Sequence, residues 1–175
     1  NVTGVQTCAL PISAEMKDMN IPVGVSDFEK IRNGGFYYID KSGLITRILK
    51  EKAEVTLIAR PRRFGKTLGM SMLESFFDIR KDSRKLFDGL EIAENQALCD
   101  EWMNQYPTVS ISFRQIDGLN FMDAYRQLVY EIALLYQKHT YLLDSQAISN
   151  QEKSLFQQIS DRKAEKTDVM RSIQF

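Results

Sequence analysis

This sequence of 175 residues contains few cysteines and histidines, and its formal net charge is zero. The two cysteines, Cys8 and Cys99, and the single histidine, His139, are too few for a disulfide framework or a structural zinc site. The 23 basic and 23 acidic residues cancel, and the sequence pI is near 6.8. This balance argues against a protein whose whole surface is basic for binding nucleic acid, although it permits a local basic patch.

Long apolar runs are also missing. The most apolar stretch, residues 132–135, is far shorter than the roughly 20 residues that cross a bilayer, so we expect no membrane partner. The residues present, 43% hydrophobic and 26% charged, have the composition of an ordinary globular domain. At this length we expect one cytoplasmic domain with a buried core.

The N-terminal segment predicts an artificial origin. The chain begins with Asn1 rather than methionine, and residues 2–12 match the translation of a common sequencing-library adaptor. A secretory signal is the alternative, but no basic residues precede the short apolar stretch. We therefore predict that residues 1–13, which include Cys8, are an adaptor-derived tail without a functional role.

The remaining chain shows helical and strand-like patterns in alternation. Three- and four-residue apolar spacing predicts helices over residues 27–32, 41–50, 66–79, 94–104 and 121–141, and two polar helical stretches within 149–175. Ser26 and Asp40 are expected to cap the first two helices. The apolar run 55–59 and the alternating segment 109–113 predict strands. This order predicts an α/β fold, a parallel sheet flanked by helices.

One motif between the first strand and the third helix indicates chemistry. It consists of Arg60, Pro61, Arg62, Arg63, Phe64, Gly65, Lys66 and Thr67. A helix N-terminus after a strand points unpaired N–H groups at an anion, and Gly65 allows close backbone approach. Lys66 can reach the β- and γ-phosphates of a nucleotide, and the Thr67 hydroxyl can bind Mg²⁺. The motif predicts that residues 62–67 bind ATP and that Thr67 binds the metal. The alternative is a solvated basic turn.

The motif departs from the usual phosphate-loop pattern at its first position. That pattern has glycine where this chain has Arg60. A residue before proline is extended, so the turn is expected later, across residues 63–65. The neighbouring arginines suit phosphates through forked hydrogen bonds, and contact with DNA is the alternative.

Several blocks of sequence together resemble the AAA-ATPase-like family. They are residues 21–32 (IPVGVSDFEKIR), 37–42 (YYIDKS), 60–67 (RPRRFGKT), 86–90 (LFDGL) and 106–109 (YPTV). The resemblance covers about residues 21–175 and implies a P-loop NTPase fold that binds ATP, with Arg60 normal at its position. Members are mostly bacterial. They commonly carry a C-terminal PD-(D/E)XK nuclease-like domain, which implies a nucleic-acid partner for the longer protein.

The carboxylate that such an ATPase needs for hydrolysis is missing from the predicted strands. It should follow a second buried strand, but residues 109–113 end without one, and Asp117 lies four residues beyond. The resemblance implies that this Walker B strand follows later. We therefore expect a chain truncated at both ends, with a helical lead-in over 14–50 and an incomplete P-loop core over 51–175.

The expected function is thus ATP binding without hydrolysis, and no catalytic residue is identified. One alternative is a regulatory module that retains the fold. Another is a nucleic-acid-associated module with a vestigial phosphate loop.

Other residues have simpler predicted roles. Asp40 and Lys41 are expected to cap a helix. The alternative is that residues 38–41 border an adenine pocket. His139 is expected to complement a helix dipole rather than to catalyse. Cys99 is expected in the core, and so are Met70, Met72, Phe76 and Phe77.

Overall fold

The computed structural model describes residues 20–59, 61 and 63–172. This part of the chain is 56% helical and divides into two compact units, one up to Thr108 and one from Val109. Its α-helices are α1 (Phe28–Asn33), α2 (Gly43–Glu51), α3 (Lys66–Phe77), α4 (Gln96–Trp102), α5 (Phe121–Lys138), α6 (Asn150–Ser160) and α7 (Lys166–Arg171). Short 3-10 helices span Arg84–Phe87, Glu91–Glu94, Phe113–Gln115 and Thr140–Asp144. Within the described ranges, no helix has the length and apolar character needed to cross a membrane.

The predicted parallel sheet is wrong. Residues 55–59 have no strand pairing in the described structure, and Val55 and Leu57 are 84% and 88% exposed. Residues 109–112 are likewise unpaired there, and a 3-10 helix begins at Phe113. Between described residues the only β-bridge joins Asp78 and Tyr106 in parallel. The described architecture is therefore helical rather than an α/β sheet flanked by helices.

The reason for this difference lies in what an apolar run specifies. Hydrophobicity at residues 55–59 shows that burial would be favourable, but it does not identify a neighbouring strand. A strand is stabilised only when its N–H and C=O groups pair laterally with another segment. A helix satisfies the same groups within itself, so periodicity alone identified α2, α3 and α5 near their predicted positions.

Aromatic packing forms the core of the first unit. Phe28 of α1, Phe76 of α3 and Phe87 are fully buried. The Phe87 ring centroid lies 4.9 Å from that of Phe28 and 5.4 Å from that of Phe76. Such pairs contribute about 0.5–1.5 kcal/mol each beyond the area that they bury. Ile45 of α2 and Met72 of α3 are buried in the same cluster, so one core joins the first three helices.

Asn104 fastens the C-terminal end of α3. Its side-chain amide donates hydrogen bonds to the carbonyls of Asp78 (2.9 Å) and Ser75 (3.2 Å). Its Oδ1 accepts one from the N–H of Ser83 at 3.0 Å. Its backbone φ is +57°, a left-handed conformation that asparagine tolerates better than most residues. The end of α3 is thereby fixed against the chain that follows α4.

The second unit packs α5, α6 and α7 around Ile132, Ile159 and Val169. Ser149 begins α6 with a capping box, in which its hydroxyl and the Glu152 side chain exchange hydrogen bonds with the backbone. The predicted helix over 121–141 ends at Lys138, because the backbone tightens into the 3-10 helix Thr140–Asp144.

Two methionines of α3 provide a matched test of the core. Met72 is fully buried, whereas Met70 is 54% exposed, so the prediction of core packing is confirmed for Met72 and wrong for Met70. We expect Met72→Ala to lower the free energy of unfolding by about 2–5 kcal/mol, because it leaves a cavity. Met70→Ala should change it by less than about 0.5 kcal/mol.

The measurement is urea unfolding followed by the fluorescence of Trp102, the chain's single tryptophan, which packs against this core. Similar losses in both variants would contradict the assigned core.

Candidate functional site

The phosphate-loop motif forms a turn directly before α3. Arg63 and Gly65 have left-handed backbones, with φ of 68° and 74°. Gly65 is the N-cap residue of α3, and Lys66 and Thr67 are its first two residues. The turn predicted across residues 63–65 is confirmed. Arg60 and Arg62 lie outside the described residues.

A cavity of about 220 Å³ opens beside this turn. It is lined by Lys41, Gly43, Leu44, Arg47, Ile58, Phe64, Gly65, Lys66, Gly69 and Glu91. Three of these side chains are cationic and one is a carboxylate, a formal excess of two positive charges. A concave surface with this charge attracts an anionic ligand.

The cavity brings together only some of the predicted site residues. Phe64, Gly65 and Lys66 line it, but Arg63 and Thr67 do not. Sequence reasoning missed Arg47 and Glu91. A signal for Arg47 exists, because residues 43, 44 and 47 share one face of a helix by their spacing. Glu91 has no such signal, because tertiary packing alone brings the 3-10 helix Glu91–Glu94 to the cavity.

The segment before α2 is held by two polar side chains. The Asp40 carboxylate accepts hydrogen bonds from the N–H groups of Ser42 and Glu91, both at 2.7 Å. The Ser42 hydroxyl is fully buried and accepts one from the N–H of Ile92 at 3.1 Å. The prediction that Asp40 caps α2 is wrong, because Ser42 is the N-cap residue. Lys41, between the two anchored residues, is thereby fixed beside the 3-10 helix Glu91–Glu94.

These bonds also set the ionisation of Asp40. Partial burial alone would raise the pKa of its carboxyl group. The hydrogen bonds from Glu91 and Ser42, with a smaller attraction from Arg32, outweigh burial and lower the pKa below its ordinary value. The charged form of Asp40 is therefore the form that the fold stabilises.

Tyr38 and Lys41, which the sequence analysis placed together at a possible adenine pocket, have different surroundings. The Tyr38 ring packs edge-on against Phe28, with centroids 5.4 Å apart, and its hydroxyl lies 3.3 Å from the sulfur of Met72. Burial raises the pKa of Tyr38. Tyr38 is thus part of the core, and only Lys41 of this pair lines the cavity.

The remaining predicted residues lie elsewhere. Cys99 is buried as predicted, its thiol donates to the carbonyl of Ile92 at 3.3 Å, and burial raises its pKa. In the second unit, His139 is the C-cap residue of α5, with Nδ1 3.1 Å from the Tyr141 hydroxyl. Asp117 is also there, and its carboxylate accepts from the N–H of Gly118 at 2.7 Å. In the ranges described, no three metal-ligating side chains form a cluster.

Comparison with known proteins identifies the family. The family model described as Predicted AAA-ATPase matches residues 22–170. The chain belongs to this family. This match confirms the resemblance seen in the sequence. It also indicates a nucleotide-binding domain. The C-terminal nuclease-like domain stays a prediction.

A similar protein is the one described as "Uncharacterized protein in vnfD 5'region" from Azotobacter chroococcum mcd 1. It is 33% identical over 99 residues, which are 56% of this chain and 18% of that protein. The match therefore spans less than a fifth of the relative. No solved structure matches the chain significantly.

The Asp40 anchor predicts a pH-dependent loss of stability. Because folding lowers the pKa of this carboxyl group, its contribution is present above the ordinary aspartate pKa of about 4 and is lost as pH falls through the lowered value. Asp40→Asn cannot accept both hydrogen bonds, so we expect it to reduce the free energy of unfolding by about 1 kcal/mol at pH 7. This deficit should shrink as pH falls below the ordinary aspartate pKa of about 4.

Urea unfolding of both proteins, followed by Trp102 fluorescence across this pH range, measures the deficit. Asp82→Asn is the matched control, because Asp82 is exposed and has no hydrogen bond recorded with another described residue. A deficit that is constant from pH 7 to pH 3 would exclude ionisation of Asp40 as its cause.

Proposed function

We propose that this chain binds ATP with Mg²⁺, with the phosphates held by Arg62, Arg63, Phe64, Gly65, Lys66 and Thr67. The observation that supports this most directly is the position of the loop. Gly65 and Lys66, at the start of a twelve-residue helix, line a cavity with an excess of positive charge. Membership of the predicted AAA-ATPase family supports the same class of ligand.

The chemistry of the loop suits a phosphate chain. The first N–H groups of α3 have no partner within the helix, and the helix dipole places partial positive charge at the same end. Gly65 has a left-handed backbone that glycine adopts readily, and the absence of a side chain lets an anion approach the backbone. Lys66 supplies a full positive charge at the next position. Together these groups complement the charge of the β- and γ-phosphates.

Magnesium would be held largely by the nucleotide. Mg²⁺ binds few protein ligands, keeps several waters and takes its remaining oxygens from substrate phosphates. The Thr67 hydroxyl, in the first turn of α3, is the protein ligand proposed here. A site of this kind needs no cluster of acidic side chains.

Ligand-induced stabilisation tests the binding proposal. At 100 times its Kd, Mg-ATP should stabilise the folded chain by about 2.7 kcal/mol, which raises Tm by several degrees. Lys66→Ala should abolish this shift, because it removes the ammonium while alanine preserves the helix. Lys50→Ala is the matched control, since Lys50 is exposed on α2 and does not line the cavity.

The measurement is a thermal melt of each variant with and without Mg-ATP. Equal shifts in the parent chain and in Lys66→Ala would reject the assignment.

We further expect this chain to hydrolyse ATP slowly. The loop stabilises bound ATP as much as its transition state, and such uniform binding does not accelerate the chemical step. Acceleration needs a group that orients water or stabilises charge at the γ-phosphate. Among the described residues, Glu91 is the carboxylate that lines the cavity, and it lies against Gly43, where an added Cβ would be 2.7 Å from its oxygens.

A phosphate-release assay with Lys66→Ala as the control measures this activity. Release that depends on Lys66 and approaches an ordinary enzyme turnover of about 10 per second would contradict the expectation. Glu91→Gln and Asp117→Asn would then identify the carboxylate responsible.

A further inference from the structure

We propose that Lys41 is a second phosphate-binding lysine, which contacts the β- and γ-phosphates of a nucleoside triphosphate alongside Lys66. This inference rests on the proposed function and goes beyond it, because Lys41 lies 25 residues before Lys66 and outside the loop motif. According to this proposal, Lys41 recognises the length of the phosphate chain and not the base.

The position of the Lys41 ammonium supports a role at the loop. A Cβ added to Gly65 would lie 3.3 Å from Nζ of Lys41. The ammonium is therefore next to the residue where the backbone turns into α3. A phosphate bound at this helix start would lie within reach of both Lys41 and Lys66, which line the same cavity.

The backbone of Lys41 is fixed independently of its side chain. The residues on either side of it, Asp40 and Ser42, are anchored because their side chains accept hydrogen bonds from the N–H groups of Glu91 and Ile92. Replacement of the Lys41 side chain leaves all of these bonds in place. A fixed backbone reduces the conformational entropy that the lysine loses when it binds a ligand.

The charge of Lys41 has no protein partner in the described structure. Its ammonium forms no ion pair with a described carboxylate. Arg47 and Lys66 line the same cavity, so Lys41 adds like charge to a confined space. The Glu91 carboxylate in the same lining offsets part of this repulsion, and an anion with several charges would relieve the rest. A triphosphate meets that requirement better than a monophosphate.

The test compares nucleotides that differ only in phosphate number. Isothermal titration measures the Kd of Mg-ATP, Mg-ADP and AMP for the parent chain, Lys41→Met and Lys41→Arg. Lys41→Met retains most of the stem and removes the charge, and we expect it to weaken ATP binding roughly tenfold while AMP binding changes less than twofold. Lys41→Arg should retain most of the ATP affinity. Lys50→Met, a charge removal on α2 at a residue that does not line the cavity, should bind all three nucleotides as the parent does.

A second measurement uses the unaltered chain and does not depend on the folding of a variant. Acetic anhydride labels exposed amines, and mass spectrometry quantifies each lysine. ATP should protect Lys41 and Lys66 from acetylation, AMP should protect neither to the same extent, and Lys50 should react equally in both.

The outcomes separate this inference from the proposed function. If the parent chain does not bind ATP, or if Lys66→Ala binds it equally well, the proposed function fails. If binding depends on Lys66 but Lys41→Met retains the parent affinity, or loses ATP and AMP affinity equally, only the inference about Lys41 is overturned. Acetylation of Lys41 that ATP does not reduce also overturns it.

Discussion

The double hydrogen bond accepted by the Asp40 carboxylate is the interaction on which the site depends. It joins the start of α2 to the 3-10 helix Glu91–Glu94, two elements separated by about fifty residues in sequence. The buried Ser42 hydroxyl reinforces the same junction. Without this junction, Lys41 and Arg47 would not be held opposite the loop that begins α3. The cavity is therefore a consequence of tertiary structure and not of the loop motif alone.

Two features around the cavity would favour the proposed binding of an anion but do not stabilise the fold. Arg63 has a left-handed backbone, which is unfavourable for a residue with a side chain, and three of the described cationic side chains share one cavity. Neither feature contributes to folding, and both are compatible with the anion-binding site proposed above. The aromatic core offsets their cost in stability. Phe28, Phe76 and Phe87 do not line the cavity, and their packing stabilises the helices that bear the charged residues.

Helices and the loop could be predicted from the sequence, whereas strands and the composition of the cavity could not. Lys66 begins α3 as its pattern predicts, because apolar spacing and the preceding glycine are local signals. Residues 55–59 failed as a strand because pairing depends on a partner that an apolar run does not identify. Met70 failed as a core residue because three- and four-residue spacing tolerates an error of one position at the edge of a helix face. Glu91 was missed because only packing brings it near Lys41.

The surroundings of Glu91 explain how a carboxylate can border the proposed phosphate site. Its oxygens lie where a Cβ on Gly43 would be 2.7 Å away, so glycine at the first position of α2 gives the carboxylate room at the helix N-terminus. The positive end of the α2 dipole stabilises the negative charge there. Glu91 still offsets one of the three positive charges of Lys41, Arg47 and Lys66, which leaves the formal excess of two in the cavity. The same fold that admits one carboxylate to the cavity therefore preserves the positive potential that a phosphate chain requires.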